Sequence, residues 1–211
     1  MNKEKVLSGV SKLFEQDFGG HDIWHTLRVT ELAVRLAREE GADEDTVWLA
    51  SMLHDADDKK LSPETSDNKD NAREIMRSIG ADEALVESVC GIIGEVSFRG
   101  KDSVVPPTIE GKCVQDADRL DALGAVGIAR TFAYGGSHGR PICVPGETYK
   151  KDMSEAEYRS RESSSIAHFY EKLFLLKDMM NTHSAKRIAE ERDAFMHYFM
   201  KEFFDEWAGK R

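Results

Sequence analysis

Apolar residues recur at helical spacing along most of this chain. Between Ile23 and Glu40, His25, Val29, Leu32 and Leu36 fall on one stripe, and Gly41 ends it. Asp43 is placed to cap a helix from about Glu44 to His54, whose inward stripe is Val47, Ala50, Ser51 and His54. The sequence GADE occurs at 41–44 and again at 80–83, each time a helix-ending glycine and a capping aspartate. This is shared loop chemistry, not a duplicated domain. Further helices are predicted over 71–79, 83–97, 107–120 and 122–133, and two long ones over about 153–181 and 183–207. Polar residues around Pro63 make 55–71 a loop, and the Gly and Pro residues of YGGSHGRPICVPGETYKK (134–151) make a second. Gly124 and Gly127 lower the helix propensity of 122–133, and their small size suits close helix packing. No alternating β pattern persists. The expected fold class is all-α, with one domain over 1–211: a core motif region of about 21–134, a loop of about 134–152, and C-terminal helices over about 153–207.

Composition narrows the function. A chain of 211 residues with 40% apolar residues can bury a substantial core. A formal charge of -10 argues against gripping a nucleic-acid polymer, which needs a basic face. Small anionic substrates stay open, because a bound cation reverses the local field. Cys90, Cys113 and Cys143 lie far apart with no CxxC pair, which suggests reduced thiols and a cytoplasmic protein. MNKEKVLSGV has no long apolar core, so no signal peptide is expected. The longest apolar run, Ala122 to Ala129, is too short to span a bilayer, so no membrane partner is expected.

The stretch LASMLHDADDKK (49–60) changes the picture, because it steers His54 and Asp55 toward the interior. His25 also lies on the buried face of its helix. A buried imidazole needs a hydrogen-bond partner or a metal. Either histidine alone would read as a satisfied core residue, but the pair does not. Asp55 sits about 100° around the helix from His54, and at a helix terminus the backbone can bend so that both reach one point. VQDADRLDALG then offers Asp116, Asp118 and Asp121, with Asp118 and Asp121 beside the stripe of Val114 and Ala117. Carboxylates edging a core are costly unless paired or metal-bound. Two histidines and two aspartates would all be satisfied around one divalent cation.

With these residues in view, the chain resembles the HD-domain metal-dependent phosphohydrolases. His25 within HTLRV, MLHD at 52–55 and Asp118 within DADRLDALGAVGIAR resemble the family's H…HD…D signature. GGHDIWHTLRV, SF at 97–98, ARTFAYGG and HFYEKLFLLKDMMNT resemble recurring segments of a small stand-alone bacterial branch, so the likeness spans most of the chain. The resemblance implies an all-helical fold with a metal held by His25, His54, Asp55 and Asp118. Some members of the branch are nucleotide pyrophosphohydrolases. Members with two metals add histidines between the HD pair and the last aspartate. Residues 56–117 contain none, so a single metal is expected.

Mixed imidazole and carboxylate ligands suit Mn²⁺ foremost, with Fe²⁺, Co²⁺ or Ni²⁺ as alternatives. Such an ion lowers the pKa of a bound water and draws charge from a phosphoryl group. Asp58, four residues after His54, matches an acidic position of the HDxxED-type members. It is the candidate to orient the water or take its proton; the alternative is a solvated loop acid. Asp57 is expected to be solvated. Lys59 is a candidate contact for a phosphate oxygen, and His21, one turn before His25, for substrate. Asp121 is expected to pair with Arg119 or help orient a ligand. His168, Glu171 and Lys172 resemble family positions near the cleft, or pair with one another along a helix. His138 is expected on a surface loop, and His183 and His197 at surface and packing positions. Phe195, Tyr198, Phe199, Phe203 and Phe204 are expected in the core. The leading functional expectation is hydrolysis of nucleoside triphosphates with release of pyrophosphate. The alternatives are a phosphatase on nucleoside monophosphates or other small phosphoesters, and a metal- and nucleotide-binding regulatory module without turnover.

Overall fold

The structure is a computed structural model and describes residues 1–14, 22–59 and 62–211. The fold class is all-α, and no β strand occurs among the described residues. The chain forms two compact units, residues 1–98 with 103–118, and residues 99–102 with 119–211. No described helix is long and apolar enough to cross a membrane.

The first unit is built from α1 (Lys3–Leu13), α2 (Ile23–Glu40), α3 (Glu44–Leu53), α4 (Asp70–Ser78), α5 (Glu83–Val96) and the body of α6 (Ile109–Asp121). The helix starts follow local rules. Asp22, Asp43 and Asp82 each accept a hydrogen bond from the backbone N–H three residues on, which satisfies a donor that the first helical turn leaves open. Gly41 ends α2 in a left-handed conformation, φ 73°, where a side chain would be strained. α3 packs against α1, α2 and α5, and its buried residues include Val47, Leu49, Ala50, Met52 and Leu53. Burying a leucine such as Leu36 or Leu53 contributes about 1.5–3 kcal/mol relative to exposure. α1 is an addition to the helices expected from the pattern. Only Val6 and Val10 within it, with Phe14 after it, carry its four-residue apolar spacing, and Asn2 caps it.

The second unit holds α7 (Gly124–Ser137), α8 (Glu155–Ser160), a run from Ser165 to Met179, and α11 (His183–Trp207). That run comprises α9 (Ser165–His168), a wide π-type turn (Phe169–Leu173), α10 (Phe174–Leu176) and a tight 3-10 turn (Lys177–Met179). Two expectations are corrected here. The helix expected over 153–181 is interrupted at 161–164, because Ser154 and Ser164 each cap a new start and Arg161 and Ser163 turn their side chains to the buried Glu171. The loop expected from residue 134 instead begins after Ser137, despite two glycines. Gly135 lets the Ser165 hydroxyl approach the backbone of α7, where a Cβ would make it rotate away. Phe132, Phe169, Phe199 and Phe203 form a ring cluster at 6.0–6.5 Å centroid separations. Phe195 and Tyr198 depart from the expected core placement. They lie on the outward side of α11 and are exposed.

Candidate metal centre

The centre lies in the first unit and takes its groups from α2, the end of α3 and α6. Asp22 accepts from the backbone N–H of His25 at 2.8 Å, which fixes the first turn of α2 and places His25 on its buried face. His54 terminates α3 with its ring buried. At a helix end the last carbonyls have no helical partner, and the Ser51 carbonyl accepts from His54 Nδ1 at 2.7 Å. Nδ1 therefore carries a hydrogen, and Nε2 is the nitrogen left to meet a cation. Sequence reasoning did not include this Ser51 contact, although a histidine three residues past a helix-end carbonyl is a readable signal.

Four side chains converge. His25 Nε2 lies 3.5 Å from Asp55 Oδ2 and 3.4 Å from Asp118 Oδ1. His54 Nε2 lies 3.3 Å from Asp55 Oδ2 and 3.9 Å from Asp118 Oδ1. The two imidazoles meet edge to face with centroids 5.3 Å apart. One ligand atom from each of His25, His54 and Asp55 lies within 4.8 Å of the others. Ligands about 2.1 Å from one ion at tetrahedral or octahedral angles stand about 3.0–3.4 Å from each other. The His25–Asp118 and His54–Asp55 separations match, the other two are wider at 3.5 and 3.9 Å, and the four groups stand close to the spacing of a shared divalent cation. The Asp118 side chain is 27% exposed, against 1–9% for the other three, so the centre meets solvent beside Asp118.

Charge placement agrees with this geometry. Burial works against a charged His54 ring, but the Asp55 carboxylate and then Asp118 outweigh it and raise its pKa above the usual histidine range. Burial pushes Asp118 up, yet the His25 hydrogen bond and both nearby imidazoles bring it below the ordinary carboxylate value. A pocket that favours imidazole beside carboxylate without a metal carries the negative charge that a cation would neutralise.

Asp58 is half-buried on the turn that follows His54, with its N–H donating to the Asp55 carbonyl at 3.1 Å. Lys59 is exposed on the same turn. His21 lies outside the described residues. Asp57, expected to be solvated, is instead buried: Oδ1 accepts from Asn71 N–H at 3.0 Å and Oδ2 from Ala72 N–H at 2.9 Å. Its partners lie a loop away in sequence, so no local spacing announced them.

In the second unit, Asp121 accepts from Arg130 at 2.7 Å, while Arg119 donates to the Met179 carbonyl. The Glu171 carboxylate accepts from Arg161, from Ser163 and from the Lys150 N–H. His138 is exposed and stacks on Tyr134 with centroids 3.9 Å apart. His183 is exposed, and His197 stacks on Phe174 at 4.1 Å.

Comparisons with known proteins extend this geometry. The HD-domain family model matches residues 23–123, a span that contains all four converging residues. YpgQ of Bacillus subtilis is 37% identical over 201 residues, which covers 94% of this chain and 90% of YpgQ. A crystal structure of YpgQ in complex with ADP superposes with a TM-score of 0.73 at 34% identity, covering 96% of each chain. A crystal structure from Lactobacillus plantarum gives a TM-score of 0.84 at 34% identity, covering 99% of this chain and 100% of the other. An HD-superfamily hydrolase of Bacillus thuringiensis gives 0.76 at 38% identity, covering 97% and 96%.

Proposed function

This chain belongs to the HD-domain family of metal-dependent phosphohydrolases, and from that premise we propose that it hydrolyses nucleoside triphosphates and releases pyrophosphate. The observation that carries the reading is the convergence of His25 Nε2, His54 Nε2, Asp55 Oδ2 and Asp118 Oδ1 at 3.3–3.9 Å. The ADP complex of YpgQ supports a nucleotide as the ligand class.

In this reading His25, His54, Asp55 and Asp118 hold one divalent transition metal, Mn²⁺ foremost. When bound, the ion supplies positive charge for a phosphate oxygen and a lowered pKa for water. Ser51 keeps the hydrogen of His54 on Nδ1, so Nε2 stays available. Asp58 orients the attacking water and takes its proton. The water oxygen bonds to the α-phosphorus, the bridging bond to the β-phosphate breaks, and the electron pair leaves with pyrophosphate. Lys59 meets the phosphate charge from the same turn, and His21 is the second proposed substrate contact. The net charge of -10 argues against a nucleic-acid polymer as substrate and leaves a small nucleotide, whose charge a bound cation would meet.

Following each nucleotide by ³¹P NMR with Mn²⁺-loaded protein tests the reading. Nucleoside triphosphates should give monophosphate and pyrophosphate. Inorganic phosphate from monophosphates would replace it with a phosphatase. Saturable binding without turnover across metals and nucleotides would make the chain a regulatory module.

A further inference from the structure

The segment from His54 to Asp58 carries two proposed metal ligands and the proposed base within five residues, and something must hold its backbone. One end is tied to α3, where the Ala56 N–H donates to the Leu53 carbonyl at 3.1 Å. The other is tied to α4. The Asp57 carboxylate, 3% exposed, accepts from the backbone N–H groups of both Asn71 and Ala72. The Asn71 side chain returns the contact, donating to the Ala56 carbonyl at 2.9 Å and to Thr65 Oγ1 at 3.1 Å. Two adjacent residues of the turn, Ala56 and Asp57, are thus clamped by Asn71 and Ala72 in the first turn of α4.

The clamp takes the place of an ordinary helix cap. Lys69 stands at the cap position of α4 with no side-chain capping bond and a left-handed backbone, φ 59°. Residues with a Cβ adopt that conformation rarely. Asp57, from across the loop, satisfies the open N–H groups, and the positive end of the helix dipole favours its charge. Asp55 and Asp58 lie two residues before and one after it, so their carboxylates share a backbone whose position the clamp sets.

We propose that Asp57 is a positioning residue for hydrolysis, and that through Asn71 it uses α4 to hold Asp55 and Asp58 in place. The inference rests on the metal-site reading above. Asp57 meets no substrate in it, so its loss should act on metal affinity and kcat and leave KM nearly unchanged.

The test compares full-length wild type with Asp57→Ala, Asp57→Asn, Asn71→Ala and Asp82→Ala. Mn²⁺ affinity by calorimetry, kcat, KM and Tm are measured on each. Asp57→Ala should weaken Mn²⁺ binding and lower kcat, each by about tenfold or more, because small displacements of reacting groups are costly. Asp57→Asn should recover part of both, since its amide oxygen keeps one of the two backbone bonds. Asn71→Ala should move both in the same direction by less. Asp82 caps α5 in the same way, accepting from Leu85 N–H at 2.8 Å, but it is exposed and caps a different helix. Asp82→Ala should lower Tm alone. If the Asp57 variants lose Tm as Asp82→Ala does, with Mn²⁺ affinity and kcat at wild-type values, Asp57 is a cap and the inference is overturned. Should Asp57→Ala not fold, wild-type values in both Asp57→Asn and Asn71→Ala overturn it equally. A wild-type chain that binds no Mn²⁺ removes the metal-site reading itself, a separate result.

Discussion

The Ser51 carbonyl oxygen lies 2.7 Å from Nδ1 of His54, and that hydrogen bond decides which ring nitrogen faces the carboxylates. With Nδ1 committed to Ser51, Nε2 is the nitrogen that faces Asp55 and Asp118. A histidine so oriented is prepared for a cation before one arrives.

Metal removal is therefore expected to abolish turnover. Protein stripped by a chelator and verified metal-free should be inactive, and Mn²⁺ should restore activity better than Ca²⁺. Imidazole nitrogen favours transition metals, whereas Ca²⁺ seeks oxygen ligands. Equal rescue by Ca²⁺ would point to an oxygen-only site elsewhere.

Asp58→Ala separates the base from the ligands. Its metal content should stay near wild type while kcat falls on the order of 10²-fold or more, the contribution of a general base. Steady-state kinetics with metal analysis on the purified variant decides this. An unchanged kcat would leave Asp58 as a loop acid.

The three cysteines should differ in reactivity. Burial raises the Cys90 thiol and pushes Cys113 up to about 12, so neither offers thiolate at pH 8. Burial, then Glu147, also raises Cys143, but it is half-buried and open to reagent. Native protein treated with iodoacetamide should slowly take one label, at Cys143, by mass spectrometry. Two labels before unfolding would contradict the burial of the α5 and α6 cysteines.

The capping box of α8 sets an acid limit. The Lys150 ammonium, donating to Glu157 at 2.6 Å, and then Ser154 hold the Glu157 carboxyl down to about 2. Its folded pKa lies below the ordinary value of 4.5, so its contribution is complete above 4.5 and lost only as pH falls through about 2. A carboxyl ¹³C titration of Glu157 should have its midpoint near 2. A midpoint at 4.5 would show the side chain detached from the cap.

What the sequence revealed followed local rules. Asp43 and Asp82 announce helix starts because a cap acts within three residues, and the bounds of α11 fall where they were expected. His25 and His54 were readable as inward because helical spacing puts each on an apolar stripe. Spacing alone left Asp118 and Asp121 as equal candidates beside the Val114 and Ala117 stripe, and only the resemblance to the HD family pointed to Asp118. The parts that escaped depend on partners distant in the chain. Asp57 looks like a loop acid until α4 folds beneath it. Arg161 and Ser163 break a helix that the pattern would continue, because Glu171 receives them. Phe195 and Tyr198 share the spacing of core aromatics, and only packing shows that their side of α11 faces solvent.

The decisive variant is Asp118→Ala, with bound metal per chain measured by mass spectrometry beside kcat. The substitution removes one negative charge and one coordinating oxygen and puts the best helix former into α6, so the helix should remain intact. Metal content and turnover should fall together while circular dichroism stays at wild type. A folded Asp118→Ala protein that keeps its full metal content would contradict Asp118 as a ligand.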